Sequence, residues 1–200
     1  MADADAMPHV PPEHLEGWTC TDRTSETVFR LPVAEIVGHT AVYGDEDLRE
    51  TIRSLTGGTV DRTWRFFFAT RLTFTPPLPP AVGPAAVFST VEAEANAAFT
   101  DRLRDRGFTD VSEVDRERIR ADTGDSAFLT TYDATVATDV MDIPVRGHVG
   151  VWTTAGEFRL AGGAYPAASL EDLLGMAVPG VDIDPEALRE ELVTLIRAVR

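Results

Sequence analysis

The sequence contains no lysine. All 18 of its basic residues are arginines, set against 33 acidic ones, for a net charge of −15. Schiff-base catalysis and phosphate-loop lysine chemistry are thereby excluded. Cysteine is nearly absent as well. A lone Cys20 rules out an intramolecular disulfide, and nothing around it would activate a thiol as a nucleophile. No apolar run approaches the ~18 residues of a membrane helix. Met1 to Ala6 is small and acidic, not basic and then apolar, so no signal peptide is expected. Gly-x-Gly-x-x-Gly, the phosphate loop, Gly-x-Ser-x-Gly and Cys-x-x-Cys do not occur.

The acid surplus disfavours nucleic acid and anionic membrane as partners. It has two explanations: adaptation to high salt, or an acidic face for a basic partner. The acids are dispersed, with no tract of five like charges, which favours the first. These features together predict a cytoplasmic protein, monomer or homodimer.

What is present is organised around Trp64 to Phe74. Trp64, Phe66, Phe68, Thr70, Leu72 and Phe74 alternate with Arg65, Phe67, Ala69, Arg71 and Thr73. Period two with aromatic and β-branched residues predicts a strand, from about Val60 to Thr75, near the middle of a sheet. Its even face is apolar and its odd face mixed, so uneven covering is expected.

Ahead of it, residues 1–12 are expected to be flexible and Glu13 to Trp18 to form one helical turn. Strands are predicted at Thr27 to Leu31 and Val33 to Tyr43. A helix follows, capped by Asp45 and stopped by Gly57-Gly58. Beyond the proline-rich connector Pro76 to Pro84, Ser89-Thr90-Val91-Glu92 reads as a capping box that opens a helix. Val91, Ala95, Phe99 and Leu103 form its stripe, Gly107 its stop.

Val111 to Ala121 reads as an exposed edge strand, Ala127 to Val136 as a strand, and Asp139 to Pro144 as a loop. Val145 to Trp152 and Glu157 to Tyr165 pair through a four-residue turn, Thr153 to Gly156. Ser169 caps a short helix, and Asp184-Pro185 opens the last one, with Leu188, Leu192, Leu195, Ile196 and Val199 on its apolar face. The prediction is therefore α+β: a single domain over residues 13–200, a mostly antiparallel sheet with helices packed against it.

Candidate chemistry is sparse. His39 and His148 both lie on predicted strands beside glycines. Facing one cleft with an acid such as Asp142, they would make a general-base or metal site. Ala161 to Ala164, two alanines around Gly162-Gly163, form a small-residue floor. Either the last helix packs on it, the favoured reading, or it underlies a pocket walled by His148, Trp152 and Tyr165. Arg65 and Arg71 share one side of the long strand. They bind an anionic ligand or, as acids outnumber arginines, pair internally, the favoured reading.

The arginine-only, acid-rich composition resembles that of cytoplasmic proteins of extremely halophilic archaea, and the chain is similar to an uncharacterised haloarchaeal protein family, which implies no activity. The element order, β-β-α-β-α-β-β-β-β-α over roughly Gly17 to Arg200, resembles the PsbP-like architecture. That resemblance implies an α-β-α sandwich of the kind found in small accessory and binding proteins. Annotated members in photosynthetic organisms are exported; with no export signal expected here, the resemblance carries architecture alone. The functional expectation is a non-catalytic binding or accessory domain of a halophilic cytoplasm. Its partner is a protein or small molecule, and no cofactor, metal or catalytic residue is assigned. The alternative is a small metal-dependent or general-base enzyme using His39 and His148.

Overall fold

The computed structural model describes residues 6–32, 34–55, 57–58, 63–79, 82–137, 142–169 and 184–200. Its elements are β1 (Trp18–Leu31), β2 (Ala34–Asp45), α1 (Glu46–Leu55), β3 (Phe66–Thr75), α2 (Pro84–Asp105), β4 (Phe108–Arg120), β5 (Ser126–Ala137), β6 (Asp142–Thr154), β7 (Glu157–Pro166) and α3 (Pro185–Ala198). The expected order of elements is reproduced, and the fold is α+β.

The seven strands form one sheet in the order β1-β2-β3-β7-β6-β5-β4. Every pairing is antiparallel. Two meanders, β1 to β3 and β4 to β7, are zipped together where β3 pairs with β7. Two helices cover opposite faces. Odd-numbered β3 residues Phe67 and Ala69 pack with Leu192, Leu195 and Ile196 of α3. Even-numbered Phe66 and Phe68 pack with Phe99 and Leu103 of α2, and Leu72 with Val91 and Ala95. The predicted stripe of α2 is thus its buried face, one residue per turn at i, i+4 spacing.

Phe66 to Thr70 are buried without a break, so the expected uneven covering is confined to the far end, where Arg71 and Thr73 are half-buried. The strand begins at Phe66, later than predicted, and residue 60 lies outside the described residues. Conversely, β1 begins at Trp18, nine residues before Thr27. After the buried Trp18 its first half is mostly polar and exposed, as an edge strand allows, so it carries no apolar alternation to read.

α2 begins at Pro84, not Ser89. Gly83 is its N-cap, and proline at the first position supplies the helical φ without needing a cap. The Glu92 of the apparent capping box is buried and ion-pairs with Arg116 on β4. The β6–β7 turn has two residues, not four. Thr154 pairs with Glu157, and Ala155 and Gly156 take φ of 50° and 82°, the double positive φ of a type I′ hairpin. The predicted loop shrinks too, because β6 already starts at Asp142; residues 139–141 and the short helix after Ser169 lie outside the described residues.

The start of the chain is docked where it is described. Val10 is buried, and His9 and Arg200 exchange two backbone hydrogen bonds, His9 N–H to Arg200 O at 3.1 Å and the reverse at 2.8 Å. Residues 1–5 of the segment expected to be flexible lie outside the described residues. The helical turn at Glu13 is a 3-10 turn at Pro12–His14. No helix among the described residues is long and apolar enough to cross a membrane.

Candidate functional site

The register locates each sequence-predicted residue. His39 lies opposite Arg71, which lies opposite Arg159, which lies opposite Trp152. His148 lies opposite Gly163, then Phe67, then Tyr43. The two histidines share the α3 face but are three strands apart and offset by four residues. At ~4.8 Å per strand and ~3.4 Å per residue the separation is roughly 20 Å. They do not form one site, and Asp142 is six residues from His148 on the same strand. Among the described residues, no group of three or more His, Cys, Asp or Glu could hold a metal ion.

Each histidine is occupied locally. His39 Nδ1 lies 2.9 Å from Ser25 Oγ, and Nε2 lies 3.0 Å from Thr73 Oγ1. His148 is buried, with Thr131 Oγ1 at 3.0 Å and Tyr165 OH at 3.2 Å. Burial, reinforced by the Arg189 and Arg146 charges, lowers its pKa to about 4, so the ring is neutral at pH 7. Burial likewise pushes the Tyr165 phenol up to about 12. His148, Trp152 and Tyr165 do share a face, but α3 fills the space they were to wall. A Cβ on Gly163 would meet Leu192 at 2.9 Å, and one on Gly150 would meet Ile196 at 2.9 Å. The small-residue floor is a helix bed.

Arg65, directly before β3, and Arg71 on it are both paired internally. Arg65 Nη1 donates to Asp45 Oδ2 at 3.2 Å, Nη2 lies 2.8 Å from Glu191 Oε2, and the guanidinium sits 4.6 Å over the Trp18 ring. Arg71 donates to Glu157 Oε1 at 2.7 Å, while Arg159 holds the other oxygen at 3.0 Å. Those hydrogen bonds keep the Glu157 carboxyl below the usual carboxylate range.

The open space is elsewhere, on the α2 face. Where β3 and β6 begin and β2 and β5 end, the sheet continues past the last turn of α2. Phe99 and Leu103 are the final stripe residues, and beyond them the C-cap residue Arg106 borders the opening. A cavity of about 360 Å³ results, with a floor of Val42, Phe66, Val136 and Val145 and with Trp64 and Phe108 in its walls. A second cavity of about 140 Å³, reaching Phe68 and Phe99, shares Val42, Phe66 and Arg106 with the first, so the two make one groove. Phe108 reaches the wall because Gly107, at φ 86°, reverses the chain directly after α2.

Arg106, the C-cap residue of α2, sits at the junction of the two cavities. Its guanidinium lies 4.4 Å over the Phe66 ring. Burial and the neighbouring Arg102 charge lower its pKa from the usual arginine value, with Asp22 acting in the opposite sense; an arginine remains cationic throughout. Its neighbours are paired, Arg102 with Glu26 at 3.5 Å and Arg104 with Asp101 at 3.1 Å. Among the described residues Arg106 has no ion-pair partner. The sequence reading missed this groove. Its only local sign is that the apolar stripe of α2 stops at Leu103 while floor residues continue on the strands.

A sheet with a helix on each face and, among the described residues, a groove beside the end of α2 define a small α+β domain. The chain belongs to the family described as "Domain of unknown function (DUF6517)", whose model matches residues 7–200. No curated protein matches the chain.

Proposed function

We propose that this domain is a non-catalytic binding module that holds a small apolar ligand in the groove between the end of α2 and the sheet. The observation that carries this reading is the lining of the larger cavity. Its described lining residues are mostly aromatic and aliphatic, with Thr21, Thr63 and Arg106 beside them, and include no histidine, cysteine or carboxylate that could act as base, nucleophile or metal ligand. At about 360 Å³ it lies at the lower end of the ~300–1,000 Å³ of small-molecule sites, enough for an alkyl chain of moderate length or a small ring system. The setting we infer is a salt-adapted cytoplasm, supported by a lysine-free chain of net charge −15. The layered arrangement supports kinship with PsbP-like binding and accessory proteins at the level of architecture.

The test is ligand-observed NMR with 1-octanol, a neutral probe. Saturable transfer is expected for the wild type and not for Thr21→Trp, which projects a ring over the opening from the exposed edge strand. Absence of binding, or equal binding by the blocked variant, refutes the reading.

A further inference from the structure

We propose that the groove is selective for an apolar molecule bearing a single carboxylate, and that Arg106 is the residue that reads the charge. The inference rests on the groove being a binding site and deepens that reading. Three observations carry it. The chain has 33 acidic residues in 200, yet none of the described residues lining the larger cavity is acidic. Arg106 is the single charged residue among them. And it is unpaired among the described residues, while the arginines two and four positions earlier both have carboxylates.

A guanidinium over an aromatic face loses water on one side and keeps its edge donors free, which suits an incoming carboxylate. Asp22 and Glu26 line the smaller cavity instead, and Glu26 faces Arg102. A carboxylate entering the larger cavity thus meets Arg106 as the single charge among its described lining residues, while Asp22, whose charge reaches Arg106, lies on the smaller cavity. The net charge of −15 repels anions at long range, but molar salt shortens that field to ~3 Å. A direct contact with Arg106 survives such screening, so selectivity depends on contact geometry and not on the overall field.

The experiment compares octanoate with 1-octanol, probes of matched chain length, on the folded full chain in about 1 M KCl. Wild type is expected to bind octanoate roughly tenfold more tightly than octanol, the scale of one charge-assisted contact at a partly exposed site. Arg106→Met keeps an unbranched stem over Phe66. It is expected to bring the two probes to parity, and Arg106→Lys to restore part of the preference. If neither probe binds the wild type, the groove reading fails. If octanol binds but octanoate binds no better, or if the preference persists in Arg106→Met, the groove stands and the assignment to Arg106 is overturned. Circular dichroism of each variant confirms that the fold is intact.

Discussion

Arg65 is the strongest single test of how this fold is held together. Its side chain is 4% exposed and lies between two carboxylates and an indole. Asp45 serves two groups at once. Oδ1 accepts the Leu48 N–H at 2.9 Å, capping α1, and Oδ2 accepts Arg65 Nη1 at 3.2 Å. Glu191, on α3, accepts the Trp18 Nε1–H at 2.9 Å and stands against Arg65 Nη2 at 2.8 Å. One guanidinium therefore ties β1, α1 and α3 to the start of β3. Replacing it by methionine preserves the stem but leaves Asp45, 15% exposed, with a carboxylate oxygen that has lost its cation. Breaking a buried pair from one side costs about 3–5 kcal/mol. Glu191 is 46% exposed and can turn to water, so its share is small and the lower end applies. We expect Arg65→Met to lose about 3 kcal/mol, a fall in Tm of roughly 6–12 °C for a chain of this size. Asp45→Asn keeps the cap, because asparagine is as good an N-cap, and removes the stranded charge. In that background Arg65→Met should cost about 1–2 kcal/mol less. Urea unfolding at fixed salt measures the cycle. A loss under about 1 kcal/mol, or an equal loss in both backgrounds, refutes the account of Arg65 as a buried tie.

Four further outcomes are expected. His148 is protonated more readily unfolded (6.5) than folded (about 4), so stability should fall as pH drops from 6.5 toward 4 and level off below; His148→Gln should remove on the order of 3 kcal/mol of that dependence, seen as a flatter Tm–pH curve than wild type. Gly163→Ala should be far worse than Gly150→Ala, since its Cβ strikes the Phe66 carbonyl, while the closest neighbour of that of Gly150 is a side-chain methyl, Cγ2 of Ile196; loss of folded protein against a cost of about 1–3 kcal/mol is the expected contrast in unfolding curves. Ala155, at φ 50° in the β6–β7 turn, is strained, and Ala155→Asn should raise stability by about 0.5–1 kcal/mol in thermal melts. Lowering KCl from about 2 M to 0.1 M should depress Tm, because the screening length grows from a few ångströms to ~10 Å around a chain of charge −15; an unchanged Tm would count against salt adaptation.

The parts of the fold legible in the sequence are those where burial imposes a period. β3 is sandwiched, so both of its alternating faces carry signal. α2 lies on the sheet, so Val91, Ala95, Phe99 and Leu103 recur every fourth residue. The first half of β1 is an edge exposed to water, and Cys20 to Glu26 obey no alternation. Ser89 and Glu92 have the spacing of a cap, but a cap is a local contact, and Arg116, 24 residues on, takes Glu92 instead. Tertiary pairing there overrides a local motif. The histidines failed as a pair for a related reason. Which strands are neighbours depends on β7 inserting between β3 and β6, a closure that no short window of sequence contains. The groove depends on the same closure, drawing its floor from β2, β3, β5 and β6.

The arginines show why the candidate site had to be found by subtraction. Arg65 and Arg71 flank aromatic residues in the most buried strand, which makes them look like ligand readers. Depth disqualifies Arg65, and Arg71, only half-buried, is already held by Glu157. A guanidinium taken out of water needs a carboxylate to be tolerated at all, and acids are nearly twice as numerous as arginines, so the buried ones have already found theirs. An arginine available to a ligand must meet the opposite conditions: only partly buried, beside an apolar surface, and in a neighbourhood without acids. In a chain this acidic, the third condition is the hardest to meet by chance. On the larger cavity Arg106 has no acid among the described lining residues, Asp22 and Glu26 lying on the smaller cavity it also borders, whereas Arg102 and Arg104 are already paired. A search of related chains should therefore track two features together at this position: a cation at the end of α2 and the absence of carboxylates from the floor in front of it. Loss of either one without the other would separate the charge-reading role from the helix-capping one.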